Sequence, residues 1–476
     1  MTPDLSADAR TQLDWLSRGE VSAVDLLEAH IARYEAENPK LNAVIAVDLG
    51  AARARAAALD ALLAEGRSAG PLHGLPMTIK DVFDVDGLPA VCGAPEFAGR
   101  EAKVEDAELV KRLKAAGAII WGKTNTPYMA GDVQTYNKVY GVTNNPHDLT
   151  RTPGGSSGGA AAALAAEITP IEVGSDIGGS LRTPAHFCGI CSLKPSYGLV
   201  PLTGHVPPEP GSDEGIPDLA VAGPMARSVA DLQLLLSVLA PDQPRGDLPS
   251  DLAACRVAIW DQDAAFKLGK DCAGAVSIIE QIAQKTGANV SKAKPDIDSV
   301  DLIDIYQRLL MSIITSGLPA IARFGMHAVK PIAYLFARKG EFSQANTIIS
   351  ATQNPAKIAE AQGERDKMQA ACATFFETHD VLIAPVTPIP AFTHQTDKSL
   401  FTRKIDIDGT TEKYATLFDW IALATLCYLP AAVIPVSTTA SGLPVGVQII
   451  GAEGQDAKVL AIAALFEAAL AGSTAA

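Results

Sequence analysis

The chain turns on two stretches, Pro153-Gly154-Gly155-Ser156-Ser157-Gly158-Gly159 and Val173-Gly174-Ser175-Asp176-Ile177-Gly178-Gly179-Ser180-Leu181-Arg182-Thr183-Pro184. Ser156 and Ser180 stand 24 positions apart, each in a glycine-rich turn. Glycine tolerates positive φ and lets backbone amides approach a ligand closely. A hydroxyl held in such a turn, with bare N–H groups beside it, is how acyl-transfer chemistry presents a nucleophile and an oxyanion hole. The run closes with Phe187-Cys188-Gly189-Ile190-Cys191-Ser192-Leu193-Lys194-Pro195-Ser196-Tyr197-Gly198.

Outward from this core, helix and strand signals alternate, which predicts an α/β fold. Residues 5–65 read as helical. Ser22 is placed to cap a helix that Asn38-Pro39 should stop. Met77-Thr78-Ile79-Lys80-Asp81-Val82 alternates like a strand. Ala118 to Trp121 is a short apolar strand, and Gly122 to Pro127 reads as loop. Residues 159–166, 182–188 and 229–239 read as helices, and 203–217 as a long irregular loop. Residues 265–375 are mostly helical and poor in motifs. Val381 to Val386, Ala432 to Val436 and Leu443 to Gly451 read as buried strands, and 456–471 as a closing helix. No linker divides the chain, so one domain is expected over 1–476.

Composition narrows the function. Lys and Arg number 39 against 54 Asp and Glu, a net charge of −15, which makes the phosphate backbone of a nucleic acid a poor partner. The N-terminus lacks the pattern of a secretory signal, no apolar run is long enough to span a membrane, and no membrane partner is expected. Seven cysteines without such a signal fit reduced thiols in a cytoplasm. Cys188 and Cys191 form C-x-x-C, but no second pair follows at zinc spacing. No metal and no cofactor is expected.

Read alone, Gly154-Gly155-Ser156-Ser157-Gly158 satisfies G-x-S-x-G, the nucleophile elbow of α/β-hydrolases, with Ser156 as nucleophile of an esterase. That elbow needs a strand directly before the serine. Asn144 to Pro153 is polar, contains two prolines and reads as loop. A phosphate-binding reading fails because no Lys follows the glycines.

Taken together, the two serine turns, the Cys-Gly…Lys-Pro run and Gly70-Pro71-Leu72-His73-Gly74-Leu75-Pro76…Lys80-Asp81 resemble the amidase signature family of Ser–cis-Ser–Lys hydrolases. Gly122-Lys123-Thr124-Asn125 and Gly442-Leu443-Pro444-Val445-Gly446-Val447-Gln448 match as well, so the resemblance covers nearly the whole chain. It implies a twisted mixed sheet covered by helices on both sides, with 153–198 as its core and 265–375 as a variable helical segment that could cap the substrate. By position it implies Ser180 as nucleophile, Ser156 as the bridging serine on a cis peptide bond, and Lys80 as general base.

The chemistry is self-consistent. A serine hydroxyl is a poor nucleophile until a base takes its proton. Lysine serves if burial keeps it neutral, and Lys80 sits on an apolar strand between Ile79 and Val82. The backbone amides of Ile177, Gly178, Gly179 and Ser180 are the expected oxyanion hole. Asp176 and Arg182 are read as an ion pair bracing the turn. Tyr128, Met129, Gly131 and Tyr428 are read as pocket residues.

Hydrolysis of a C–N acyl bond follows, by a seryl acyl-enzyme, in a small neutral amide, anilide or carbamate. The region Gly204-His205-Val206-Pro207-Pro208-Glu209-Pro210 is closer in character to the aryl-acylamidase, nylon-oligomer amidase and urethanase-like branches. The tRNA-dependent amidotransferase subunits usually carry a Ser-Leu-Asp segment there, which this chain lacks. A monomer or homodimer is expected. The amidotransferase subunit, the Ser156 esterase and a non-catalytic binding protein stand as alternatives.

Overall fold

The computed structural model describes residues 3–210, 217–244, 246–315, 318 and 320–474. Its centre is an eight-stranded mixed sheet. The strands lie in the order Asn289–Lys292, Arg256–Ile259, Val381–Pro385, Pro444–Ile450, Ala431–Thr438, Cys191–Lys194, Val221–Ala226 and Ile171–Asp176. The first three run parallel and the remaining pairs are antiparallel.

Strand periodicity explains how one sheet supports two cores. Val381 and Ile383 point into one hydrophobic cluster, with Val257, Ile434 and Val447. Leu382 and Ala384 point into the other, with Ala258, Ala431 and Val433. Helices Val229–Leu239 and Lys270–Lys285 supply the first cluster, and Arg182–Cys188 and Ser299–Ile314 the second. Both faces of the sheet are therefore covered, and its strands read as continuous apolar runs.

A second sheet holds three strands, in the order Val44–Val47, Ile119–Thr124, Pro76–Lys80. Lys80 pairs with Thr124 in parallel register. This small sheet packs on the edge of the large one. Thr78 Oγ1 donates to the buried Glu172 carboxyl at 2.7 Å, and Thr78 N–H donates to Thr169 Oγ1 at 3.1 Å. The C-terminal ends of strands Pro76–Lys80 and Ile171–Asp176 thereby converge.

Several local expectations need correction. Helix Ala23–Leu41 opens at Ser22, whose Oγ accepts the Asp25 N–H at 3.0 Å, but it runs past Asn38-Pro39. Pro39 lies in the last turn, and Asn38 Oδ1 closes the end by accepting the N–H groups of Ala43 and Val44. The segment read as loop from Gly122 continues the strand through Thr124. Its Lys123 is accommodated because its ammonium meets Asp81 at 3.3 Å and the Phe83 carbonyl at 2.6 Å, partners that lie 40 or so positions away. The sequence gives no strand signal at Val44–Val47, Cys191–Lys194, Arg256–Ile259 and Asn289–Lys292, each only four residues long, nor at Val221–Ala226, which Gly223 and Pro224 interrupt. Of the irregular loop read over 203–217, residues 211–216 lie outside the described residues, as do 316, 317 and 319 of the helical 265–375 segment.

Candidate active site

Lys80 ends its strand with a fully buried side chain. Its Nζ lies 2.7 Å from Ser156 Oγ and 3.0 Å from Ser175 Oγ. Burial disfavours the ammonium and lowers its pKa from 10.5 to about 7; the nearby Cys92, Asp176 and Glu172 only partly counter this.

Ser156 follows a cis Gly155–Ser156 peptide. A Cβ on Gly155 would stand 2.5 Å from Asp132 O and 2.7 Å from Val133 C, so only glycine admits this approach of two backbones. Helix Gly158–Ala165 leaves the turn immediately, and its alanines pack it into the core.

Ser180 lies four residues beyond strand Ile171–Asp176 and two before helix Arg182–Cys188. Gly179, at φ +88°, makes the bend. The Asp176 carboxylate holds the turn from inside. It accepts the N–H of Gly179 at 2.8 Å and of Leu181 at 3.1 Å, and pairs with the Arg182 guanidinium at 3.1 Å. Arg182 also donates to Ile421 O, Thr425 Oγ1 and Gln448 Oε1. Burial acts to raise the Asp176 pKa, but Arg182, with Lys194 and the Leu181 N–H, more than offsets this and the carboxyl sits below its usual value. The N–H groups of Ile177, Gly178 and Ser180 have no acceptor among the described residues, whereas that of Gly179 is already engaged.

The two serine turns are joined by backbone: Ser157 N–H donates to Ser180 O at 3.2 Å. No hydrogen bond links Ser156 Oγ to Ser180 Oγ among the described residues. Ser180 remains 6% exposed while Ser156 and Lys80 are 1% and 0%, so of the three Ser180 is the one open to a ligand.

Ser175 went unread in the sequence. It sits on the strand that ends at Asp176, and only the fold brings it opposite Lys80. Also unread was an apolar wall beside the Ser180 turn. Tyr306 OH donates to Ile177 O at 2.9 Å, Phe418 and Tyr306 approach Gly178, and Ile421 approaches Gly179. Phe342 stacks on Phe418 with ring centroids 5.1 Å apart. These residues come from distant helices and loops and carry no motif.

The expected pocket residues separate. Met129 N–H donates to Cys92 O at 2.9 Å, and Gly131 leads directly into the Asp132–Val133 backbone that abuts Gly155. Tyr128 points outward, half exposed, with its hydroxyl on Glu96. The Tyr428 hydroxyl is engaged by Asp218 and by Arg365 Nη1, and its ring stacks on Tyr197 at 4.3 Å. That cluster makes no hydrogen bond to Lys80, Ser156 or Ser180. His186 is buried and braces helix Arg182–Cys188: Gly446 N–H donates to Nδ1, which places the ring proton on Nε2, facing Ile389 O. Burial holds its pKa near 4. A cavity of about 630 Å³ bounded by Arg151, Lys270, Pro388 and Asp408 contains none of the three residues.

The chain belongs to the Amidase family, whose profile matches residues 25–460. It is an amidase signature hydrolase of C–N bonds. Among curated relatives it is 33% identical to a glutamyl-tRNA(Gln) amidotransferase subunit of Roseiflexus castenholzii, over 95% of this chain and 93% of that one. It is 34% identical to the indoleacetamide hydrolase of Bradyrhizobium diazoefficiens, over 94% of this chain and 84% of that one. Among solved structures, 6-aminohexanoate cyclic dimer hydrolase superposes with a TM-score of 0.77 at 27% identity, covering 98% of both chains.

Proposed function

We propose that this chain hydrolyses small, neutral, moderately apolar amides, anilides and carbamates by a Ser–cis-Ser–Lys mechanism. The observation that carries the reading is a fully buried Lys80 whose Nζ lies 2.7 Å from Ser156 Oγ, in a turn joined to that of Ser180. Neutral Lys80 takes a proton from Ser156 as Ser156 takes the proton of Ser180. Ser180 Oγ attacks the carbonyl carbon, and the oxyanion develops against the free N–H groups of Ile177, Gly178 and Ser180. Each such donor is worth roughly 2.7–4 kcal/mol of barrier. The relay then returns its proton to the leaving nitrogen, the C–N bond breaks, and water releases the acyl group by the same route. A carbamate leaves an alkoxycarbonyl-serine, whose hydrolysis yields alcohol and carbon dioxide.

Apolar substrates fit the wall of Tyr306, Phe342, Phe418 and Ile421, which offers no charged group to a substrate carboxylate. Tyr306 and Phe342 come from the 265–375 segment, which acts as the substrate cap. Esters of similar shape are expected side substrates.

A second reading, the amidase subunit of an aminoacyl-tRNA amidotransferase, is favoured by the similarity to glutamyl-tRNA(Gln) amidotransferase subunits. A panel of a primary amide, an anilide and a carbamate, run on the isolated wild type and on Ser180→Ala, separates the two. The first reading expects turnover by the wild type alone, lost by at least about a thousandfold in the variant. Turnover that requires added partner subunits would favour the second reading, and retained activity in Ser180→Ala would overturn the proposed mechanism.

A further inference from the structure

The turn that carries Ser156 has a back wall. Gly155 abuts the backbone from Asp132 to Gln134 so closely that a Cβ would stand 2.5 Å from Asp132 O and 2.8 Å from Gln134 N. Thr135 Oγ1 donates to Gly154 O at 2.8 Å, and a Cβ on Gly158 would collide with the same Thr135 oxygen. The strip 132–135 therefore meets the turn before and after Ser156, and a shift of the strip is passed to the serine.

What fixes the strip comes from the far end of the chain. Strands Lys404–Ile407 and Thr410–Lys413 form a hairpin, with Lys404 opposite Lys413. Arg403 and Tyr414 flank its base, and Tyr414 N–H donates to Arg403 O at 3.3 Å. Both side chains are buried and both reach the Asp132 carboxylate. Arg403 Nη1 donates to one oxygen at 2.5 Å, and Tyr414 OH donates to the other at 2.8 Å. Arg403 is itself held: Nη2 donates to Tyr136 OH at 2.6 Å and Nε to Lys398 O at 3.0 Å. Gln134 adds a second tie, accepting Gln395 N–H at 2.8 Å and donating to Gln395 O at 3.2 Å.

A buried ion pair is costly to desolvate and adds little stability over apolar residues of similar volume. What the planar guanidinium supplies is fixed geometry. Among the described residues, neither Arg403, Tyr414 nor the Asp132 carboxylate hydrogen-bonds Lys80, Ser156 or Ser180. We infer that Arg403 and Tyr414, acting through Asp132, are positioning residues that hold the Ser156 hydroxyl where the proton relay needs it. The inference rests on the relay mechanism proposed above.

The test compares an anilide with a nitrophenyl ester of the same acyl group, in wild type, Arg403→Gln, Arg403→Lys, Tyr414→Phe and Ser156→Ala. Both substrates need Ser180 activated. Only the anilide needs a proton returned to its leaving nitrogen, because nitrophenolate departs without one, so a displaced relay costs the anilide more. Arg403→Gln should lower anilide kcat by about tenfold or more, with KM little changed and a clearly smaller fall on the ester. Tyr414→Phe should act in the same sense to a smaller extent, and Arg403→Lys should recover part of the loss by keeping the pairing with Asp132. Thermal unfolding confirms that each variant folds, and the milder Tyr414→Phe carries the test if Arg403→Gln does not. Equal falls on the two substrates, a change confined to KM, or wild-type kcat in the folded variants would overturn the positioning role, and loss of anilide turnover in Ser156→Ala would show that the relay itself still stands. Anilide turnover retained in Ser156→Ala would overturn the relay and the inference together.

Discussion

Lys80 Nζ and Ser156 Oγ lie 2.7 Å apart, although 76 positions separate them in the chain and they belong to different layers of the fold. Strand Pro76–Lys80 delivers the amine, and a glycine turn opening helix Gly158–Ala165 delivers the hydroxyl. Both are buried, so the interaction is made without competing solvent and with the lysine poised between its two protonation states.

That poise sets the pH response. Activity should rise with the neutral fraction of Lys80, with a limb centred near pH 7 and about a tenfold fall in kcat/KM per unit below it. Stability should follow in a defined sense. Between about pH 7 and 10.5 the unfolded chain keeps a proton that the folded chain releases, so wild-type stability gains from Lys80 as pH rises through that window. Lys80→Met removes the burden of a buried charge. It should be inactive, yet more resistant to urea than the wild type at pH 6.5, with the advantage shrinking towards pH 10. A flat activity profile from pH 5 to 9 would count against the lysine base.

Gly155→Ala should abolish most activity without unfolding the protein. The new Cβ meets backbone on the Asp132–Gln134 side, which no side-chain rotation relieves. Displacing Ser156 by an ångström should lower kcat by about a hundredfold or more. Steady-state kinetics with a circular dichroism control would measure this, and wild-type kcat would show that the turn tolerates a side chain.

Ser175→Ala removes the second partner of Lys80, 3.0 Å from Nζ. The expected effect is a fall in kcat of roughly fivefold with KM little changed, in keeping with a hydrogen bond worth about 1 kcal/mol. A change confined to KM would assign Ser175 to substrate binding instead of to the lysine.

Asp176→Ala leaves the Arg182 guanidinium buried without its counter-ion. Breaking a buried pair by one partner typically costs about 3–5 kcal/mol. The urea midpoint should fall accordingly. A loss below about 1 kcal/mol would mean that Ile421, Thr425 and Gln448 suffice to hold Arg182.

The parts of this site that were legible in the sequence are those whose chemistry is local. Glycine turns around Ser156 and Ser180 declare themselves because a tight backbone needs glycine, and the family resemblance ties both to Lys80. Strands were legible where apolar runs were long, as at Val381–Pro385 and Pro444–Ile450, and illegible where they were four residues long, as at Arg256–Ile259, or ran on into a Gly-Lys-Thr segment, as at Gly122–Thr124. Ser175, Tyr306, Phe342 and Phe418 were invisible because only tertiary packing brings them to the serine turns. Tyr428 was read from its neighbours in sequence, and its hydroxyl instead closes a cluster with Asp218 and Arg365.

The assignment of Ser180 as nucleophile is tested most directly by a serine-directed fluorophosphonate followed by peptide mass spectrometry. The account predicts one adduct on Ser180, none on Ser156, and no adduct at either serine in Ser180→Ala. An adduct on Ser156 with Ser180 unmodified would contradict it.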